Sequence, residues 1–574
     1  MKGPTRCLVL CSGAKLARNR DDYGKVLGFE LRGTRPNVAL RISDITRKMA
    51  DVVPTLFTDL LELATYVYCA DQAVTRGGDG AINLGAKWRR TFEFVVPVRH
   101  PDFWSQKAIC DLLSNTLGFL SDDNYTFTFE ALSAPPKLEE YLDLPASDPE
   151  ASFQAEEVLL FSGGLDSLAG AIQEAVVDGK KIALVSHWSA PQVSSRQKLL
   201  VADLKKRVAG RQLFHIPVMV NKSSSLTHET TQRTRSFLFA SLAATVAAML
   251  GVPRVRMYEN GIVSFNLPIC EQVIGARATR TTHPRVLAGL SLLFSQLLGR
   301  TFEVEDPFIW KTRADIVELI RDADCRDMIT YTASCSHVYT STKLHTHCGE
   351  CSQCIGRRFA VLAAGCADDD HKEKYAVDVL VGERKSTENK TMVESFVRTA
   401  REVEVMDDRA FFSWFGEVSH ALPYLPGTMQ EAALQVFNLH KRHAQQIGRV
   451  LDEAIRECPM AIRFGELPES CPVAIACRQA SQQPEVIPAF THSEDYRTVT
   501  LNGSEFVLTP NQAAVVQLLY EAHRNGTPAL GQAYLLERTG SSGSRVRDVF
   551  KTGQAWGNLL GPGQRRGTIR LKLA

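Results

Sequence analysis

The chain has 574 residues, of which 44% are hydrophobic and 23% charged, with a net charge of +2. At about 150 residues per domain this predicts three or four globular domains, and it is too apolar for a disordered chain. The 38 Gly and 25 Pro follow no period, which excludes a fibre, and the balanced charge leaves no global field for nucleic acid or anionic membrane.

Near the start, the apolar patch at residues 8–11 is shorter than a signal-peptide core. No run of about 18 apolar residues occurs; the Ala-rich residues 237–250 read as a buried helix. The expectation is a soluble, cytoplasmic protein that does not meet a membrane. Residues 1–150 hold strand-like runs at Thr91–Val98 and residues 125–129 and a helix-like stretch at 45–69, an N-terminal α+β domain closed by a Pro- and acid-rich linker at 134–150. Residues 155–366 alternate predicted strands (158–161, 182–186, 213–218, 254–258) with predicted helices (167–177, 194–208, 235–250). That rhythm predicts an α/β core, a doubly wound parallel sheet. Residues 370–490 begin with a Lys/Glu-rich connector and form a helical region with one helix over Met429–Glu457. Residues 495–574 form a compact tail.

Two sites stand out. In residues 158–172, VLLFSGGLDSLAGAI, a buried strand runs through Phe161 into Ser162-Gly163-Gly164-Leu165-Asp166-Ser167 and then a helix. Glycines let the backbone turn tightly and bring amides to an anion. The helix start adds unpaired donors and partial positive charge, and Ser162 and Ser167 add hydroxyls. Asp166 either caps the helix or holds Mg²⁺ against phosphates. The turn lacks the Lys-Ser/Thr of a Walker loop and is not G-x-G-x-x-G. The second site is Cys335, Cys348, Cys351 and Cys354, spaced C-x12-C-x2-C-x2-C. Four thiolates suit tetrahedral Zn²⁺; an iron–sulfur centre is the alternative, and His345 or His347 is a candidate replacement ligand. The remaining cysteines of the 14 are scattered, and no disulfide framework is expected.

The SGGxDS turn after a strand resembles the PP-loop ATP pyrophosphatase superfamily, with its HUP-like fold. Together with the run Cys348-Gly349-Glu350-Cys351-Ser352-Gln353-Cys354-Ile355-Gly356-Arg357 it resembles the 7-cyano-7-deazaguanine synthase (QueC-like) family. Arg235-Ser236-Phe237-Leu238, Glu259-Asn260-Gly261 and Pro307 through Ile316 are similar to further family stretches, with Ser236 for the usual Asn and Arg313 for the usual Lys. The resemblance covers residues 156–366. It implies ATP, Mg²⁺ and Zn²⁺ as cofactors and adenylation of 7-carboxy-7-deazaguanine followed by amidation. Phe161 to Ser167 and Glu259 would hold the nucleotide, and Asp166, Arg235, Arg313 and Arg357 would serve catalysis. The family's Gly-Tyr-Pro-Asp-Cys-Arg string is missing; Arg277-Ala278-Thr279-Arg280-Thr281-Thr282-His283-Pro284 stands there instead, so adenylation is better supported than nitrile formation. His283 reads as a proton shuttle or a second-substrate contact, or as a helix-cap or loop histidine.

Elaborated relatives of this family occur in antiphage defence, which makes a partner protein's amine a candidate acyl acceptor. The tail resembles a winged helix-turn-helix, with 10 Lys/Arg against 5 Asp/Glu from Asp495 onward. Arg545, Arg547, Lys551, Arg565 and Arg566 would meet DNA phosphates there; winged helices also serve protein contacts. Two rival readings are a nucleotide-sensing regulator with an inactive core and a tRNA-thiolating enzyme, the latter needing Cys270 near the nucleotide.

Overall fold

The structure is a computed structural model and describes residues 6–15, 22–32, 35–49, 51–76, 89–133, 153–189, 191–208, 213–229, 232–267, 280–336, 342, 344–481, 490–493, 495–501, 504–524, 527–541, 543, 545–551, 555–563 and 567–573. It divides into two compact units, Met1–Arg478 and Gln479–Ala574.

The first unit opens with β1 (Arg6–Cys11), β2 (Lys25–Phe29), β3 (Val38–Leu40), α1 (Ser43–Met49), α2 (Thr55–Ala73), β4 (Thr91–Val98), α3 (Pro101–Trp104), α4 (Lys107–Ser121) and β5 (Asn124–Ala131). It continues with β6 (Glu157–Leu160), α5 (Leu165–Ile172), β7 (Ile182–Trp188), α6 (Pro191–Arg207), β8 (Leu213–Lys222), α7 (Arg235–Met249), β9 (Arg254–Arg256), α8 (Gly261–Phe265), α9 (Pro284–Leu298), β10 (Glu303–Glu305) and α10 (Arg313–Asp322). Then come α11 (Ser352–Ala363), α12 (Thr387–Val405), α13 (Asp408–Trp414), α14 (Met429–Glu457), α15 (Pro459–Arg463) and α16 (Pro472–Ser481).

The central sheet has the order β10-β9-β6-β7-β8-β3. Five strands run parallel, and β3 adds antiparallel to β8 at the edge. β6 is buried at all four positions, as a strand with both faces covered must be; its one charge, Glu157, is paired with Arg254 at 2.6 Å. The chain moves one way from β6 to β8, then returns to lay β9 on the other side of β6. That reversal between β6 and β9 is a topological switch point, where the loops leaving the strand ends diverge and leave a crevice.

The N-terminal segment corrects one expectation. Its sheet, β2-β1-β4-β5, is parallel throughout, so it is α/β rather than α+β. The stretch at 45–69 is two helices, α1 and α2, with Pro54 between them. α2 is buried almost all round, which hides its period, and α4 went unread in the sequence. One hydrophobic core runs from Val9 and Phe94 through α2 to Val185, Ile216 and Val246. The small residues of α7, RSFLFASLAATVAAM, let it lie between α2 and the central sheet.

Where two segments meet, Asp71 and Asp123 hold Arg76 and Arg90 in a buried ion-pair network, with separations of 2.6 to 3.2 Å. Thr234, at the start of α7, donates to Asp71 from its amide at 3.0 Å and its hydroxyl at 3.2 Å.

The second unit holds β11 (Phe490–His492), β12 (Thr498–Leu501), β13 (Ser504–Val507), α17 (Pro510–Arg524), β14 (Ala529–Gly531), α18 (Gln532–Arg538), α19 (Val546–Val549), β15 (Leu560–Pro562) and β16 (Thr568–Leu571). Its sheets have the orders β11-β12-β13 and β14-β16-β15, and it has its own core around Val515, Leu519, Leu535 and Leu571. The third helix expected at 545–550 is a single turn, α19, and Arg565 and Arg566 lie outside the described residues.

Candidate active site

The switch point carries the SGGLDS turn. Phe161 closes β6 by donating its amide to Val185 O at 2.9 Å. Gly163 has φ +85°, a left-handed conformation that a side chain opposes, and α5 starts at Leu165 with Gly164 as a cap that offers no side chain. The turn is knitted by its serines: Ser162 and Ser167 hydroxyls lie 3.1 Å apart, the Gly163 amide donates to Ser167 Oγ at 3.2 Å, and the Gly164 amide to Ser162 Oγ at 3.3 Å. Asp166 sits in the first turn of α5, where negative charge is favoured. It accepts from Asn260, at 3.2 Å from the amide and 2.9 Å from Nδ2.

That bond ties α5 to the loop leaving β9, so Glu259 joins Asp166 in one cleft. Asp306, just beyond the end of β10, completes a cluster of three carboxyls. It accepts from Ser264 Oγ at 2.8 Å, the Phe308 amide at 3.1 Å and the Glu259 amide at 3.3 Å. Burial pushes the Asp306 carboxyl up to about 8, and the Asp166 charge adds to the rise. Burial, then Asp166 and Asp306, push Glu259 well above the usual carboxylate range, while Arg313 and Arg235 pull it back. Crowded carboxyls of this kind are relieved by protonation or by a divalent cation. Behind the cleft, a π-helical segment, Gln173–Val177, turns Glu174 onto Lys180 at 2.7 Å and onto Arg256 and Tyr258, which fixes the approach to Glu259.

The predicted arginines fall into two groups. Arg313 begins α10, is buried, and donates to Gln353 Oε1 at 2.9 Å; its charge and that of exposed Arg235 reach Glu259. Arg357 is placed differently. Fully buried, it pairs with Asp370 at 2.9 Å and donates to Thr332 Oγ1 at 2.6 Å, Ile329 O at 2.9 Å and Ser334 Oγ at 3.4 Å. Its guanidinium clamps the segment 329–334, whose Ala333 amide in turn donates to Gly163 O at 3.3 Å. In the structure it braces the SGGLDS turn through that segment.

The same segment leads to the cysteine cluster. The sulfurs of Cys335, Cys348, Cys351 and Cys354 all lie within 4.8 Å of one another, the arrangement four ligands of one tetrahedral ion need. Gly349 has φ +81° and a Cβ there would fall 1.8 Å from Val377 O, so the knuckle requires glycine. His347 is stacked on Tyr375 and is not among the four. Cys270 and residues 277–279 lie outside the described residues. His283 accepts the Arg285 amide at 3.2 Å and so acts as the helix cap of α9.

Sequence reasoning missed Asp306, and it placed helix α14 at Met429–Glu457 without seeing that this helix reaches the site. The first was findable as the acid just after a third parallel strand. The second carried no motif, yet its Arg442 and Gln446 bind Asp315 at 2.9 and 3.0 Å and its His443 stands near Arg313. With burial as the larger cause, then His440 and Arg313, that imidazole is held down to about 3.

A glycine-rich strand-to-helix turn at the switch point of a parallel sheet, with a four-cysteine cluster, defines an α/β protein of the doubly wound class. In agreement, residues 189–365 match the family described as Queuosine biosynthesis protein QueC. The 7-cyano-7-deazaguanine synthase 1 of Sulfurisphaera tokodaii is 25% identical over 223 residues, 95% of that protein and 37% of this chain. The family match begins downstream of the SGGLDS turn, and the flanking segments of this chain lie outside it. Among the described residues, no helix is long and apolar enough to cross a membrane.

Proposed function

We propose that the first unit is an ATP-dependent ligase that adenylates the carboxylate of a 7-deazaguanine-type substrate and then transfers it to nitrogen. The acceptor is either ammonia, on the way to the nitrile, or an amine on a partner macromolecule, the second fitting a role in antiphage defence. The observation that carries this reading is the convergence, at one switch point, of the SGGLDS turn with Asp166, Glu259 and Asp306, in a chain whose residues 189–365 match the QueC family.

A carboxylate is a poor electrophile. Its oxygen attacks the α-phosphorus of ATP, the bond to the β-phosphate oxygen breaks, and pyrophosphate leaves. The amides of Gly163 to Ser167 and the start of α5 face the departing charge. The serine contacts that now hold those amides, at 3.2 and 3.3 Å, are weak beside charge-assisted bonds to phosphate. Mg²⁺ on Asp166 and Glu259 would neutralise the triphosphate charge. Arg313 and Arg235 are placed to meet the substrate carboxylate or the phosphates. The zinc site is structural: it pins the segment that supports Gly163.

The second unit has the element order of a winged helix. Its one-turn third helix, about 6 Å long at 1.5 Å per residue, is short for a DNA groove, which favours a protein partner.

Pyrophosphate release from ATP with a panel of deazaguanine carboxylates tests the proposal. Turnover with 7-carboxy-7-deazaguanine that is lost in Asp166→Ala is expected; turnover unchanged in that variant would place the site elsewhere. Efficient nitrile release with ammonia and no partner would decide against conjugation.

A further inference from the structure

A second cavity, of about 580 Å³, lies away from the SGGLDS turn, within the roughly 300–1,000 Å³ typical of small-molecule sites. Its wall joins Phe119 of α4, Phe265 at the end of α8, Arg280, His283 and Arg285 before and in α9, and Glu417 after α13. The parts contributed by α4 and by residues 417–420 lie outside the QueC match.

Two arginines of the wall stand against one aromatic ring. The guanidiniums of Arg280 and Arg285 lie 4.5 and 4.4 Å from the centroid of the Phe119 ring, which orients both without neutralising either. Arg280 spends one donor on Phe119 O at 2.8 Å. Arg285 is half-buried and, among the described residues, its guanidinium has no hydrogen-bond acceptor or carboxylate partner. Of the nearby acids, Asp122 is paired with Arg89 at 2.9 Å and Asp123 with Arg76 and Arg90. Asp122 and Glu417, the latter exposed at the rim, both act on Arg280, so the guanidinium with least counter-charge is that of Arg285. His283, edge-on to Phe119 at 4.8 Å, reports the field: burial, then Arg280, Arg285 and His420, hold its imidazole down to about 3, so it stays neutral.

We infer that this cavity is a binding site for a small molecule carrying a doubly charged phosphate group, gripped by Arg280 and Arg285. Two guanidiniums against one ring, that of Arg285 with no carboxylate partner among the described residues, suit a dianion better than a single carboxylate, and planar forks bind phosphate oxygens in pairs. The inference stands apart from the proposed ligase activity, because it rests on residues that do not touch the carboxyl cluster.

The test is calorimetric titration of the full chain with ribose 5-phosphate, inorganic phosphate and acetate, in the parent, Arg285→Gln, Arg280→Gln and, as an exposed arginine of α12 outside both sites, Arg398→Gln. Loss of a charge-assisted pair predicts at least about a tenfold weaker affinity for the phosphates in each cavity variant, no change in Arg398→Gln, and partial rescue by Arg285→Lys. Melting curves identify a variant that has lost its fold, and Arg285→Gln alters a half-buried side chain whose guanidinium meets no hydrogen-bond acceptor among the described residues. Binding unchanged in both cavity variants, weakened equally in Arg398→Gln, absent from the parent, or equally tight for acetate would each overturn the assignment.

Discussion

Asp306 shows how a single side chain is governed by its address. It is fully enclosed, close to Asp166, and accepts three hydrogen bonds, yet burial dominates and its carboxyl rises to about 8. A carboxyl raised in the folded state binds a proton on folding. Its contribution to stability is therefore complete below the unfolded value near 3.8 and is lost as pH climbs through about 8. Without Mg²⁺, the stability of Asp306→Asn relative to the parent should improve steadily between about pH 4 and pH 8 in denaturant titrations; a constant difference would show that Asp306 is already ionised at low pH. Gly163 is constrained by backbone rather than charge. A Cβ there meets nothing closer than Gln197 Cγ at 3.4 Å, so space is available and the cost of Gly163→Ala is the left-handed φ alone, about 1–2 kcal/mol. Chemical denaturation gives that number directly; a value near zero would mean that the turn relaxes to another conformation.

At the level of elements, the cysteine knuckle and the SGGLDS turn are linked through residues 329–335. Cys335 ends the segment that Arg357 clamps and that touches Gly163 through Ala333. Removing one ligand with Cys354→Ser should abolish stoichiometric zinc, read by elemental analysis, and weaken ATP binding although the four cysteines stand apart from Asp166 and Glu259 in sequence and meet the turn through residues 329–335. Retained nucleotide affinity in a metal-free variant would separate the two sites. Arg357→Lys should have a milder form of the same effect, since an ammonium cannot reproduce a forked contact with Asp370, Thr332 and Ile329.

Across the first unit, the N-terminal segment and the central sheet are joined by a shared core and by the Asp71–Arg76–Arg90–Asp123 network. Burial opposes the charge on Asp71, but Arg90 and Arg76 outweigh it and hold its carboxyl down to about 2. Neutralising one member leaves buried guanidiniums short of counter-charge, so Asp123→Asn should lower stability by about 3–5 kcal/mol. A loss under about 1 kcal/mol, measured by denaturant unfolding, would show that water or a neighbour compensates.

The SGGLDS turn, the cysteine spacing and the strand–helix rhythm of residues 155–366 were legible in the chain because each is a local pattern whose chemistry depends on near neighbours. Met429–Glu457 was legible too, its capping box and long apolar stripe being local. Arg357 shows the limit: its motif is local, but whether its guanidinium points to a cleft or into a clamp depends on Asp370 and Thr332, which only folding brings to it. The parallel N-terminal sheet, the carboxyl of Asp306 beside Asp166, and the arginine-lined cavity around Phe119 join residues some 33 to 160 positions apart or more. Sequence by itself determined which local chemistry this protein carries; the tertiary structure decided which charges meet, because burial and long-range proximity are properties of the packed chain.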